Sequence, residues 1–208
     1  MNNLDLAHIA TSTIGHYEAQ AAAYRAGTQD HDVSQNIDAL LNAIASPPPF
    51  TLLDLGCGPG RDLVAFSGRG HHAVGLDGSA QFVAMARAHS GCEVLQQDLL
   101  ELALPAAHFD GVFANAVLFH VPAVALPQVL REIHACLKPD GVLFSSNPLG
   151  HDEAGWHGAR YGVYHSWPSW RQYLDAAGFA EVTHYYRPAD APRWLASVWR
   201  RRSVNSLR

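Results

Sequence analysis

The 208-residue sequence has no apolar run approaching the roughly 20 residues of a membrane-spanning helix, which argues against a membrane protein. Its opening, MNNLDLAHIATSTIGHYEAQ, lacks the basic start and apolar stretch of a secretory signal, so export by that route is not expected. Cysteine is scarce: Cys57, Cys92 and Cys136 are odd in number, scattered, and form no CxxC. That usage excludes a disulfide framework and fits a reduced, cytoplasmic setting. There is no HExxH, and the adjacent His71 and His72 cannot share one strand face, so no metal site is expected; most histidines read as surface or loop residues. Internal repeats and low-complexity tracts are absent. Charge is sparse at 16%, with a net value of -5, which argues against a phosphate-backbone partner. The one basic cluster, Arg200-Arg201-Arg202, reads as a solvated, frayed tail rather than a nucleic-acid contact.

Hydrophobic residues, in contrast, make up 48% of the chain, enough for a packed core, and the length suits one domain. Residues 1–46 read as a helical N-terminal cap. Tyr17 to Tyr24 is rich in helix formers and Gly27 ends that helix. A second helix carries Ile37, Leu40, Leu41 and Ile44 at helical spacing, with Asp32 or Ser34 as its cap, before Pro47-Pro48-Pro49 breaks the chain. Residues 50–147 alternate strand and helix: strands at 50–55, 72–76, 92–96, 109–114 and 142–146, helices at 61–69, 79–89 and 124–137, the last ending at the turn Lys138-Pro139-Asp140-Gly141. Residues 148–166 show no periodicity. A helix at 168–177 stops at Gly178, and two strands follow near 180–187 and 194–201. This order predicts an α/β, Rossmann-like fold: a seven-stranded, mostly parallel sheet with helices on both faces. Ligands of such sheets bind beyond the strands' C-terminal ends.

Three of those ends carry a signal. Asp54-Leu55-Gly56-Cys57-Gly58-Pro59-Gly60-Arg61-Asp62 sits where a strand passes into a helix, and glycines there let a ligand approach the main chain and the helix N-terminus. Asp77 ends the next strand, where Rossmann-type folds hold a ribose diol. Asp98 follows the third strand and is placed to accept from an adenine amino group. Alone, each is a turn or a cap; together they specify a nucleoside. The spacing is GxGxG rather than GxGxxG, and Pro59 removes a backbone N–H, which weakens the case for a pyrophosphate.

Over residues 50 to 147 these motifs resemble class I methyltransferases, as does Phe113-Ala114-Asn115-Ala116-Val117-Leu118-Phe119-His120, similar to that family's fourth-strand motif. The resemblance implies S-adenosyl-L-methionine as cofactor and S-adenosyl-L-homocysteine as product. It implies a cofactor site of Tyr24, Asp54, Gly56, Cys57, Gly58, Asp62, Asp77, Gly78, Ser79, Asp98, Leu99, Asn115 and Ala116. Across nearly the whole chain, segments 27–36, 74–79, 113–121, 144–148, 160–162 and 184–188 resemble the methyltransferases of ovothiol biosynthesis, which methylate an imidazole nitrogen of 5-thiohistidine. That likeness implies a small-molecule substrate, a separate sulfoxide synthase as pathway partner, and neither nucleic acid nor membrane.

On the substrate side, at 148–208 and in the cap, Arg160 and Arg187 suit the carboxylate of an amino acid; the alternative for each is a surface arginine. Tyr17, Tyr161, Tyr164 and Tyr186, with Tyr24, are candidates for an aromatic wall or for ordinary packing. Asp32 and Asn36 are further candidates for contact with the substrate, Asp32 lying in the polar stretch before the second helix with a role as that helix's cap as the alternative. His31 there, and His120 and Asn147 after strands, are candidate catalytic groups, either histidine taking up a proton after an in-line displacement. Residues 148–166, with Trp156, are a candidate lid. Alternatives are a class I methyltransferase of another small metabolite and a non-catalytic cofactor-binding module.

Overall fold

The computed structural model describes residues 3–191 and 193–203. Three helices lead: α1 (Asn3–Ala19), α2 (Ala21–Thr28) and α3 (Ser34–Ala43). Then come β1 (Thr51–Leu55), α4 (Arg61–Gly68), β2 (His72–Asp77), α5 (Ala80–Ser90), β3 (Glu93–Gln96), β4 (Phe109–Asn115), α6 (Leu126–Cys136) and β5 (Leu137–Pro148). The chain continues through β6 (Glu153–His157), β7 (Arg160–Tyr164), α7 (Trp167–Ala176), β8 (Phe179–Arg187) and β9 (Trp194–Arg201). Single 3-10 turns follow β3 at Leu99–Glu101 and β4 at Leu118–His120.

Seven strands form one sheet in the order β3-β2-β1-β4-β5-β9-β8. The first five are parallel, and β9 runs antiparallel to both its neighbours. Alternation along each strand sends side chains to two cores. Leu53, Val112, Leu143, Leu195 and Trp199 pack with α6 and α7 on one face. Leu52, Phe113, Phe144 and Val198 pack with Ile37 and Leu40 of α3 on the other. In α6, Leu126, Val129, Leu130 and Ile133 make the buried stripe; each such side chain contributes on the order of 2 kcal/mol.

The structure departs from the sequence reading in five places. The leading helical segment is two helices, α1 from Asn3 and α2, broken at Gln20, and Gly27 lies inside α2 rather than ending it. Thr11, Thr13 and Gly15 are weak helix formers, so contacts to the body, not propensity, hold α1. The segment 148–166 contains a hairpin, β6–β7, turning at Gly158 with φ 65°. Period two is invisible there because β6 is largely exposed on both faces while the middle of β7 is wholly buried. The turn at 138–141 is an irregularity within β5, with Asp140 at φ 60° and a register shift against β4. Val33, not Asp32 or Ser34, occupies the cap position of α3, without a side-chain bond. Finally, the arginine cluster is tied down. Arg200 donates to the carbonyls of Asp140 and Ala43, Arg201 to that of Leu137, and Arg202 to the Asp175 carboxylate.

Beneath the sheet's antiparallel end, Ser197 Oγ accepts from the indole N–H groups of Trp170 (3.2 Å) and Trp199 (2.8 Å) and bonds Ser145 Oγ at 3.0 Å. All four residues are buried. Ser197→Ala should strand two indole donors and a hydroxyl, lowering unfolding stability by roughly 2–4 kcal/mol. A urea titration checks this; a loss near zero would mean that the hub carries no net stability.

Candidate active site

The strand order reverses between β1 and β4, so the loops leaving them flank the crevice where such sheets take ligands. The two loops interlock. A Cβ on Gly56, at φ 71°, would lie 2.3 Å from Val117 Cγ2, so only glycine lets the chain after β4 cross here. Gly60, at φ 90°, would collide with the Ala86 backbone at 2.8 Å, fixing α4 against α5. The N–H groups of Gly56 and Cys57 both donate to Leu76 O, which joins the loop to the end of β2.

Asp77 occupies that end. Its Oδ2 accepts from Gly58 N and its Oδ1 from Ser79 N, both at 2.9 Å. Each oxygen keeps lone-pair capacity for a ligand. Desolvation raises its pKa despite those bonds. Asp98 accepts from Leu100 N at 2.9 Å through Oδ1, leaving Oδ2 for the cleft. Asp54 is buried under the loop with Oδ2 unpartnered; burial and the neighbouring Asp62 push its pKa well above the ordinary carboxylate range. Asp62 is held by Arg61 in a two-pronged pair at 2.7 and 2.9 Å, and Arg61 also donates to Thr28 O at 2.9 Å.

The resulting cleft encloses about 800 Å³, part of it open to solvent. Its floor is Gly56, Gly58, Asp77, Gly78, Ser79, Asp98, Leu99 and Ala116, and its roof is α1, through Ile9, Thr13, Ile14 and Tyr17. Polar contacts fasten that roof. Glu18 accepts from Ser79 Oγ and from Gln81 N at the start of α5. Thr13 Oγ1 accepts from Tyr161 N at 3.1 Å. His120 bonds the Tyr161 carbonyl at 2.6 Å through Nδ1. A carbonyl only accepts, so Nδ1 carries the proton, and Nε2 accepts from Tyr17 O–H at 2.8 Å. Arg160 in turn donates to the Tyr17 oxygen at 3.2 Å. Burial lowers the His120 pKa to about 4 and raises that of Tyr17, so both are neutral near pH 7.

The sequence candidates thus separate. Tyr17, Tyr24, Gly56, Gly58, Asp77, Gly78, Ser79, Asp98, Leu99, Ala116 and His120 line the cleft, with Asp54, Cys57 and Asp62 in its supporting loop. Asn36, Asn115 and Arg187 meet in a second cluster beside it: Asn36 Nδ2 donates to Asn115 Oδ1, and Arg187 donates to Asn36 Oδ1. Four expectations are corrected. His31 and Asp32 are exposed, with Asp32 accepting from Ser34 N in a local turn. Asn147 is buried with both amide atoms unpartnered; strand alternation from Leu143 and Ser145 puts it on the α6–α7 side, opposite Asn115. Tyr164 and Tyr186 pack on Phe119 and in the α6–α7 core rather than lining the cleft. Tyr161 contributes its backbone, its side chain being buried with Ile9 and Val163. Arg61, Glu18 and Tyr185 were not anticipated. Only Arg61, beside Asp62 at a helix start, left a local trace; the other two act across 61 and 149 residues.

Residues 53–145 match the family described as "Methyltransferase domain". Over 119 residues the chain is 43% identical to trans-aconitate 2-methyltransferase of Azoarcus sp., covering 55% of this chain and 45% of that protein. It is 33% identical over 132 residues to malonyl-[acyl-carrier protein] O-methyltransferase of Enterobacter lignolyticus, covering 61% and 52%. The chain therefore spans about half the length of these curated relatives. A solved Burkholderia thailandensis 1,6-didemethyltoxoflavin-N1-methyltransferase, with 1,6-didemethyltoxoflavin and S-adenosylhomocysteine bound, superposes with a TM-score of 0.73 at 24% identity. That match covers 91% of this chain and 87% of that one, and the shared architecture is the class I methyltransferase fold. The cleft suits S-adenosylmethionine: Asp77 and Asp98, both in its lining, offer spare lone pairs to a ligand rich in N–H, O–H and positive charge.

Asp77→Ala should weaken S-adenosylhomocysteine binding about ten- to a hundredfold by calorimetry; unchanged affinity would rule this cleft out. The lowered His120 pKa also sets a pH window. Above about 6.5 the folded and unfolded states both hold a neutral ring, with no penalty. As pH falls from 6.5 toward 4 the unfolded chain binds a proton that the folded one refuses, so stability drops, by roughly 3 kcal/mol at the end of the window. Denaturation of His120→Gln should show a shallower decline across that window than the wild type; parallel curves would show that His120 is not the titrating group.

Proposed function

We propose that residues 53–145 form a class I methyltransferase domain that uses S-adenosylmethionine, and that the protein is a cytoplasmic small-molecule N-methyltransferase acting on the imidazole of 5-thiohistidine. One observation carries the finer reading. Segments 27–36, 113–121 and 184–188, far apart in sequence and each similar to ovothiol methyltransferases, meet through Asn36, Asn115 and Arg187 beside the cofactor cleft. Segment 160–162 joins them through Arg160, Tyr17 and His120. In this reading a sulfoxide synthase supplies the thiol-bearing substrate.

When bound, S-adenosylmethionine supplies an electrophilic methyl on a sulfonium that leaves without needing a proton. The chain's work is then alignment and water exclusion. Helix α1 roofs the cleft, and Trp156 of the β6–β7 hairpin packs on His8 and Tyr161, so hairpin and helix form one cover. An imidazole with a pKa near 6.5 is largely neutral at pH 7 and attacks through its free lone pair. Neither candidate histidine serves as a base: His31 stands on the surface, and His120 has both nitrogens engaged and a pKa of about 4. The ring proton is therefore shed to solvent after transfer.

A second reading, O-methylation of a small carboxylic acid, is favoured by the curated relatives, named for trans-aconitate and malonyl-[acyl-carrier protein]. Mass spectrometry of reactions with 5-thiohistidine, histidine, trans-aconitate and malonate separates the two. One added methyl on the thiohistidine ring is the expected product. Methyl esters alone would establish the second reading, and cofactor binding without any S-adenosylhomocysteine release would leave a non-catalytic module.

A further inference from the structure

The cluster at the end of β4 fixes the direction in which an amide faces. A guanidinium can only donate, so the Asn36 atom that Arg187 Nη1 meets at 3.3 Å is an oxygen. Tyr185 O–H donates to that same Oδ1 at 2.8 Å. Asn36 therefore turns its Nδ2 toward Asn115, where it donates to Oδ1 at 3.0 Å. Asn115 is left with its own Nδ2 pointing away from Asn36. That amide nitrogen has no partner among the described residues, and it is not among the polar atoms sealed from solvent. Arg187 uses one nitrogen here and forms no ion pair among the described residues. Asp32, on the surface before α3, feels its charge without reaching bonding distance. Burial pushes the Tyr185 phenol up to about 12, so this donor keeps its proton throughout the physiological range.

We infer that Asn115 Nδ2 and the free N–H groups of Arg187 form a donor-only seat for a carboxylate of the methyl acceptor, and that Tyr185 is the positioning residue that keeps the seat donor-only. Turning Asn115 over would set its Nδ2 against the Asn36 Nδ2 and present an acceptor to the seat, repelling an anion; turning Asn36 over would set its N–H groups against Tyr185 and Arg187 and remove the donor that holds Asn115. The inference rests on the small-molecule methyltransferase reading and narrows it. A carboxylate held this way has its lone pairs engaged, so the methyl goes to another atom of the same molecule, such as a ring nitrogen or a second carboxylate.

The test compares 5-thiohistidine with its decarboxylated amine in the wild type, Tyr185→Phe and Asn36→Asp. The wild type should favour the acid by about tenfold or more in kcat/KM. Tyr185→Phe should raise KM for the acid about five- to tenfold, with kcat within about twofold and the amine's KM unmoved. Asn36→Asp, which removes the donor to Asn115, should abolish the preference for the acid. Equal efficiency on acid and amine, or an unmoved KM in Tyr185→Phe, overturns the proposal. A second readout needs no turnover: malonate titrated into the S-adenosylhomocysteine complex, followed by the Asn115 side-chain amide resonances. Those signals should shift with malonate but not with chloride, and the response should vanish in Arg187→Gln; no shift with malonate overturns the seat. Shifts with malonate but no turnover of either histidine derivative would keep the seat and reject 5-thiohistidine.

Discussion

The site depends on one close approach, the passage of Val117 across Gly56. Two parallel strands that leave the sheet's centre in opposite topological directions would otherwise splay their loops apart. Here the missing side chain lets the chain after β4 lie directly on the loop after β1, and the Leu76 carbonyl draws that loop to β2. The ends of β1, β2 and β4 are thereby locked in one place. Asp77, Asp98 and Ala116 reach a shared cleft only because that lock holds them in register.

Around this floor the cover is fastened by polar contacts together with the small apolar cluster of Ile9, Tyr161 and Val163. Glu18, Thr13 and Tyr17 each reach a different element, and the arrangement at His120 is directional. The Tyr161 carbonyl fixes the tautomer, the tautomer fixes the Tyr17 hydroxyl, and Arg160 completes the chain of donors. The same logic runs through Arg187, Asn36 and Asn115. In both places a group able to play only one role dictates the orientation of ambiguous neighbours, so the hydrogen-bond pattern of the site is specified from its edges inward.

The floor was legible in the sequence because its determinants are local. A strand, a glycine-rich turn and a helix start sit within Asp54–Asp62, and Asp77 and Asp98 each end a recognisable strand. The sheet was legible for the same reason, since buried strands such as Phe109–Asn115 announce themselves as apolar runs. The cover was legible only in part: a helical cap was expected over residues 1–46, but not its polar fastenings, and strand β6 lacks alternation because both its faces meet solvent. Asn147 sits at the right strand end, but a period of two sends it to the wrong face. Glu18 and Tyr185 gain their roles only from partners that the fold brings to them.

The placement of β9 has a bearing on how the molecule is put together. It follows every other strand in sequence, yet it lies inside the sheet, between β5 and β8. Until it arrives, β5 presents an open edge, β8 has nothing to join, and Trp170 lacks the hydroxyl that receives its indole. As the chain emerges from the ribosome, β1 to β5 can pair early, whereas β8 joins the sheet only when this late insertion is made.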